Sequence, residues 1–513
     1  METKTSNFSI LMFPWLAHGH IFPYLELSKT ILKRKNFHIY FCSTAINFSS
    51  IQAFIDTNFL NNSIELVQLH LESSHDHQLP PHYHTTKNLP SSLTFTLLKA
   101  FQTSNSSFSD IIATLRPDLV IYDVFQPWAA KIASSQGIPA VHFSIFGAMP
   151  LSFVHHRYTF GKSDFPFPGI QFEDHELKSL DLVFEFLYAN IHDVDQDFLF
   201  GNFKHSCHDI ILLKTSRGVE GKYIDYLSSL CHKKLVPVGP LVSHNDKIDD
   251  GDNSDIIQWL DKKKQSSTVF ISFGSEYFLS KIEIEEIAKG LELCNVNFIW
   301  IIRFPIGVTI NLEETLPEGF LDRVAERGIV VTGWAPQAKI LGHANTGGFV
   351  SHCGWSSIME SMYFGVPVIA MPMKVDQPIN ARMLSEAGSC VEVKRNENEV
   401  FKGEEIAKAI SKVIVEESGE GLRRRARELS ETMKMENEDV SDRVAEELWQ
   451  VGNSVFSKIL QNLNENRVVI SVFKECGGFG HIQVECANTW KKNGKSFTTA
   501  WRTNNQMMKK KEM

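Results

Sequence analysis

Residues 346–371, TGGFVSHCGWSSIMESMYFGVPVIAM, read as a strand, a tight turn, a helix and a second strand. The apolar run GGFVSH ends at His352, Cys353-Gly354-Trp355 makes the turn, and SSIMESMYFG supplies a helix with Ser356 and Ser357 in its first turn. A strand that runs through a glycine turn into a helix is the α/β way of holding an anion, because free N–H groups and the positive end of the helix dipole face the ligand. Gly354 lets the backbone approach that anion closely, while His352 and Ser356 add side-chain donors.

The residues around this stretch extend the site from an anion to a nucleotide sugar. Upstream, Trp334 offers a flat face for a base and Gln337 a partner for a ribose; Glu360, one turn along the helix, is placed to accept from a ribose diol. Downstream, Asp376 and Gln377 follow the strand VPVIAMP, where ligands of open sheets gather, and both suit sugar hydroxyls. In FISFGS, a second Gly-Ser turn directs Ser275 toward the same diphosphate.

The strand-helix alternation covers most of the chain. FSILMF, FHIYFCST, DLVIYD and PAVHFSIF are apolar runs separated by helical sequence, with Tyr24, Leu27 and Ile31 spaced along one helix face and AAKIASSQG closed by Gly137. VSHNDKIDDGDNSD (241–254) has no apolar period and serves as a linker, after which STVFISFGS, NFIWIIR, GIVVTGWA and GGFVSHCG restart the pattern. Ser280 and Glu283 have capping-box spacing. The fold class is therefore α/β with two Rossmann-like domains: 1–245, 246–455, and a tail from 456 to 513 expected to be disordered.

The segment from Trp334 to Gln377 resembles, without a gap, the signature box of plant family 1 UDP-sugar glycosyltransferases. That resemblance implies a GT-B fold, two lobes facing a central cleft, donor binding by the C-terminal domain, inversion at the anomeric carbon, and neither metal nor cofactor, UDP-glucose being a co-substrate. It places Trp334 on uracil with Ala335 beside it, Gln337 and Glu360 on ribose, and His352, Gly354, Trp355, Ser356 and Ser357 around the pyrophosphate. Asp376 and Gln377 then face the sugar, with Gln377 the glucose-type residue. One position departs: the family usually has Asn where Ser356 stands.

Inverting transfer requires a base to take the acceptor's hydroxyl proton, and histidine titrates in the useful range. LAHGHIF (16–22) has two histidines, and the Gly-His pair shortly before Pro23, the proline expected to open the first helix, matches the family's base at His20. Asp123 ends DLVIYD and would project from the same sheet edge, orienting the imidazole as a triad carboxylate does. His18, Phe125 and Ser144 are assigned to the acceptor pocket, with the histidine-rich SSHDHQLPPHYHTT (73–86) as a mobile loop on that side. FPWLAHGHIFPYLELSK, YDVFQPWAA and FGSEYFLS resemble the subgroup that extends the sugar of an existing glycoside, on a terpenoid, apocarotenoid or phenolic core. The alternative acceptor is a flavonoid or other aglycone hydroxyl.

Composition narrows the other classes. With 513 residues and 43% hydrophobic content the chain can bury more than one core. No apolar run approaches the roughly 20 residues of a membrane span, and METKTSNFSILMFPW lacks the regions of a secretory signal, so a cytoplasmic location is expected; a monomer is a separate expectation that does not follow from these features. The eight cysteines are too scattered for a disulfide framework. From Phe456 onward 10 Lys and Arg face 4 Asp and Glu, so the tail carries +6 and the acidic remainder −15. An acidic body argues against nucleic-acid binding there. In the tail, Cys476, His481 and Cys486 form most of a zinc knuckle, but Phe473 stands where the fourth ligand belongs. That tail resembles the nucleocapsid part of a retrotransposon polyprotein and is read as a passenger; nucleic-acid binding through it is the different-class alternative. No strand runs into G-x-G-x-x-G, which removes the nicotinamide enzymes.

Overall fold

The computed structural model describes residues 8–182 and 210–452, except 35, 72–78, 88, 175, 179, 244–252, 276 and 305–310, together with 185, 203, 491–492 and 495–496. The seven strands β1 (Phe8–Phe13), β2 (Phe37–Ser43), β3 (Ile64–Gln68), β4 (Leu119–Tyr122), β5 (Ala140–Ser144), β6 (Ile210–Leu213) and β7 (Lys234–Pro237) form one parallel sheet in the order β3-β2-β1-β4-β5-β6-β7. A second parallel sheet contains β8 (Thr268–Ser272), β9 (Asn297–Ile301), β10 (Gly328–Val331), β11 (Thr346–Ser351), β12 (Val368–Ala370) and β13 (Cys390–Glu392), ordered β10-β9-β8-β11-β12-β13. Helices cover both faces, so inner strands such as LVIY in β4 and TVFIS in β8 are apolar without alternation and wholly buried. This is the GT-B architecture.

Both sheets reverse their strand order at one place, between β1 and β4 in the first and between β8 and β11 in the second. Loops leaving the carboxyl ends of such a strand pair diverge to opposite faces and open a crevice. His20, in the first turn of the helix that follows β1, and Asp123, just after β4, stand at the first crevice; Ser275 and His352, in the loops after β8 and β11, stand at the second.

Local chemistry sets the helix starts. Ser280 Oγ accepts the Glu283 N–H at 3.3 Å and the Glu283 carboxylate accepts the Ser280 N–H at 2.7 Å, so the capping box forms. The first helix differs from the sequence expectation. It spans His18–Leu32, with Pro23 inside it instead of opening it, and Ala17 caps it without a side-chain hydrogen bond. Both histidines therefore lie in its first turn. Pro23 is the sixth residue of the helix, past the first turn, and so leaves the Gly19 carbonyl without its usual i+4 N–H donor.

The lobes share an apolar seam in which Met149, Phe153 and Tyr223 of the first pack with Trp355, Ile358 and Met383 of the second. Arg382 forms a bidentate pair with Glu176 at 3.0 Å, and Lys222 pairs with Glu386 at 2.7 Å. After the helix Glu420–Asn437 the chain returns to the first lobe, where Arg443 donates to Pro237 O at 3.2 Å and Lys234 pairs with Glu447. Met1–Leu448 make one compact unit and Trp449–Met513 another. Of the tail, β14 (Lys491–Lys492) and β15 (Lys495–Ser496) form a short antiparallel pair. The expected disorder and the Cys476/His481/Cys486 set lie outside the described residues, as does most of the expected linker. Among the described residues no helix is long and apolar enough to cross a membrane.

Candidate active site

At the first crevice, His20 Nδ1 lies 2.7 Å from Asp123 Oδ2. A carboxylate only accepts, so Nδ1 carries the hydrogen and the lone pair is left on Nε2. Asp123 is fully buried and fixed by two backbone donors, Trp15 N–H at 3.0 Å to Oδ2 and Val124 N–H at 2.7 Å to Oδ1. His20 keeps 9% exposure between the rings of Phe125 and Phe146, at 5.5 and 6.1 Å. The geometry suits an imidazole that takes a proton at its open edge while Asp123 stabilises the cation formed.

His18 is differently placed. Its ring stands edge-on to Phe22 at 5.3 Å, and Ser50 Oγ approaches Nε2 at 3.4 Å. Burial, helped by the charges of Lys87 and Arg303, pushes it down to about 4 and keeps it neutral near pH 7. Thr85 and Thr86 of the histidine-rich loop donate to Leu16 O at 3.2 and 3.0 Å, which lays residues 79–87 over the entrance to this turn; residues 72–78 lie outside the described set.

The second crevice gathers the nucleotide-type residues. Trp334 is 41% exposed and Ala335 is buried beneath it. Gln337 Nε2 donates to Glu360 at 2.8 Å and to Ser357 Oγ at 3.2 Å, so three of the expected ligands already form one polar cluster. The helix Trp355–Phe364 opens at Gly354. A Cβ on Gly354 would come within 2.5 Å of His352 Nε2, and one on Gly274, at φ +77°, within 2.9 Å of the same ring. The two glycines thus hold the His352 imidazole between the β8 and β11 loops, and exposed Ser275 lies next to Gly274. Burial pushes His352 down to about 4, with Lys374 acting in the same sense and Ser272 opposing. A neutral imidazole is a hydrogen-bonding group there, not a resident cation.

Past β12, Gln377 Oε1 accepts the N–H groups of Met373 and Lys374 at 2.9 Å each, which shapes the loop and leaves its NH₂ as the group to offer. Asp376 accepts from Asn380 at 2.8 Å. Burial raises the Asp376 carboxyl, and among the groups opposing that rise is His20 of the other lobe.

Two expected residues sit elsewhere. Ser144 is fully buried, its Oγ accepting the Phe146 N–H at 3.3 Å, so it supports the turn and Phe146 faces His20 in its stead. The Trp355 indole is 4% exposed, packs against Gly147 and donates to Lys214 O at 2.7 Å; it joins the lobes and leaves only its backbone to the anion. Lys214 itself was missed by sequence reasoning. Its signal was a lysine directly after the apolar strand IILL, and its Nζ donates to Ser356 Oγ at 2.9 Å.

This layout is that of a two-lobed enzyme that moves a group from a nucleotide carrier to an acceptor held opposite. The chain belongs to the UDP-glucoronosyl and UDP-glucosyl transferase family, whose pattern matches residues 244–431. It is 51% identical to UDP-glucosyltransferase 29 of Panax ginseng, covering 88% of this chain and 98% of that one. Beta-D-glucosyl crocetin beta-1,6-glucosyltransferase of Gardenia jasminoides is 47% identical over 86% of this chain and 98% of its own. Among solved structures, Phytolacca americana UGT2 complexed with UDP-2fluoro-glucose and pterostilbene superposes with a TM-score of 0.70 at 26% identity, covering 87% of this chain and 99% of that one. The protein is a UDP-sugar-dependent glycosyltransferase.

Proposed function

We propose that the enzyme transfers glucose from UDP-glucose, with inversion, to a hydroxyl on the sugar of an existing plant glycoside, forming a β-glycosidic bond. The observation that carries this reading is the His20–Asp123 pair at 2.7 Å, its carboxylate fully buried. His20 Nε2 takes the acceptor's O–H proton as that oxygen attacks the anomeric carbon from the face opposite UDP. The bond from that carbon to the β-phosphate oxygen breaks, and UDP leaves as an anion at the N-terminus of Trp355–Phe364. Trp334 supports the base, the Gln337–Ser357–Glu360 cluster the ribose, His352, Ser356 and Ser275 the diphosphate, and Asp376 with Gln377 the sugar. The sequence's resemblance at Gln377 favours glucose. The Gardenia relative's name, a glucosyltransferase of a glucosyl compound, favours sugar as acceptor over a flavonoid or other aglycone.

The reaction in this reading proceeds without metal, in a monomer of the cytoplasm, and survives a chelator. Its test is UDP-glucose supplied with an aglycone and, separately, with its monoglucoside, products being weighed by mass spectrometry. A diglucoside from the monoglucoside is expected. Product from the aglycone alone would overturn chain extension, and product from neither would overturn glucose transfer to this acceptor class.

A further inference from the structure

Lys214 immediately follows β6 and is 2% exposed, and its side chain reaches Ser356 of the other lobe. Its backbone is held at both ends: the N–H donates to Ser144 O at 3.0 Å and the carbonyl accepts the Trp355 indole N–H at 2.7 Å. Among the described residues the one hydrogen-bond acceptor on Nζ is the Ser356 hydroxyl, 2.9 Å away. An ammonium has three donors, and a neutral hydroxyl does not offset the cost of burying its charge. Burial lowers Lys214 to about 8, while Glu360 and Glu26 act at longer range in the other sense. A buried, incompletely compensated cation therefore lies beside the second residue of the helix Trp355–Phe364, at the end where free N–H groups already face the cleft.

We propose that Lys214 is a diphosphate-binding residue of the donor site, supplied across the cleft by the first lobe and anchored by Ser356. It binds the nucleoside diphosphate carrier and offsets the negative charge that grows on the β-phosphate oxygen as its bond to the anomeric carbon breaks; Lys214 transfers no proton in that step. The arrangement also makes donor binding depend on both lobes, since the cation and its anchor belong to different sheets.

This rests on the UDP-sugar reading, and its test separates the two. UDP and uridine binding are measured by calorimetry for the natural protein, Lys214→Met and Lys214→Gln. Removing a charge-assisted contact weakens UDP by about 10- to 100-fold, with uridine unchanged because it has no phosphate. kcat/KM for the UDP-sugar falls by at least the same factor. Lys214→Gln keeps a donor for Ser356 without the charge, so it carries the same expectation should the Met variant fail to fold. UDP affinity within twofold of the natural protein in a folded variant would overturn the proposal. Equal losses for UDP and uridine would also overturn it, by making Lys214 a latch between lobes. A natural protein that binds no UDP would overturn the donor reading itself.

Discussion

His20 and His352 both stand just past the carboxyl end of an inner strand, each at the place where its sheet reverses strand order, and they are built for opposite tasks. His20 faces a buried carboxylate at 2.7 Å that can stabilise its cation. His352 has no such carboxylate partner among the described residues; its ring fills space that a Cβ at Gly274 or Gly354 would take, and burial drives it down to about 4. In the proposed reading the same topological feature, used twice, serves as a proton acceptor in one lobe and as a neutral hydrogen-bonding group for a diphosphate in the other. What separates the two imidazoles is the residue at the neighbouring strand end: Asp123 after β4, but Gly274 beyond β8.

The sharpest way to break that contrast is to remove the base. His20→Ala is expected to lower kcat by about 10²- to 10⁴-fold in steady-state assays; activity within threefold of the natural protein would assign the proton to another group. A smaller effect is expected on the donor side, where Trp334→Ala removes an exposed stacking face. KM for the UDP-sugar should rise about 5- to 100-fold with kcat little altered, from a stacking energy of ~1–3 kcal/mol. A fall in kcat with unchanged KM would move Trp334 out of the base-binding role.

The smallest effect is on stability. His18, His142 and His352 are each lowered by burial to about 4 in the folded chain, whereas an unfolded imidazole takes its proton near 6.5. Between those values the unfolded state binds more protons, so the contribution is complete above about pH 6.5 and is lost progressively as pH falls toward 4. The thermal midpoint should drop by roughly 5 °C or more from pH 7 to pH 4.5, and less in His142→Phe. A midpoint flat across that range would contradict neutral burial of these three rings.

The parts of this site that were legible in the sequence are the local ones. Strand, glycine turn and helix at 346–364 follow one another within 19 residues, so the anion cradle needs no knowledge of the rest of the chain. Asp123 was reachable because a carboxylate at a strand end in a parallel sheet has one edge from which to project. Lys214 was not, because its meaning depends on Ser356, 142 residues away in the other lobe. The burial of Trp355 was hidden for the same reason, because its indole lies in the seam between lobes and meets Lys214 O; Ser144 is buried at the end of β5, with its hydroxyl taken by the Phe146 N–H. The early start of the first helix escaped because Ala17 gives no capping signal and Pro23 resembles a helix opener.

The central claim is a division of labour, proton transfer at the β1/β4 crevice and diphosphate binding at β8/β11, and the UDP affinity of His20→Ala and Asp123→Asn measures it directly. Both variants should bind UDP within about twofold of the natural protein while turnover collapses by the 10²- to 10⁴-fold given by general-base loss. A folded His20→Ala protein that loses UDP binding along with turnover would contradict the division.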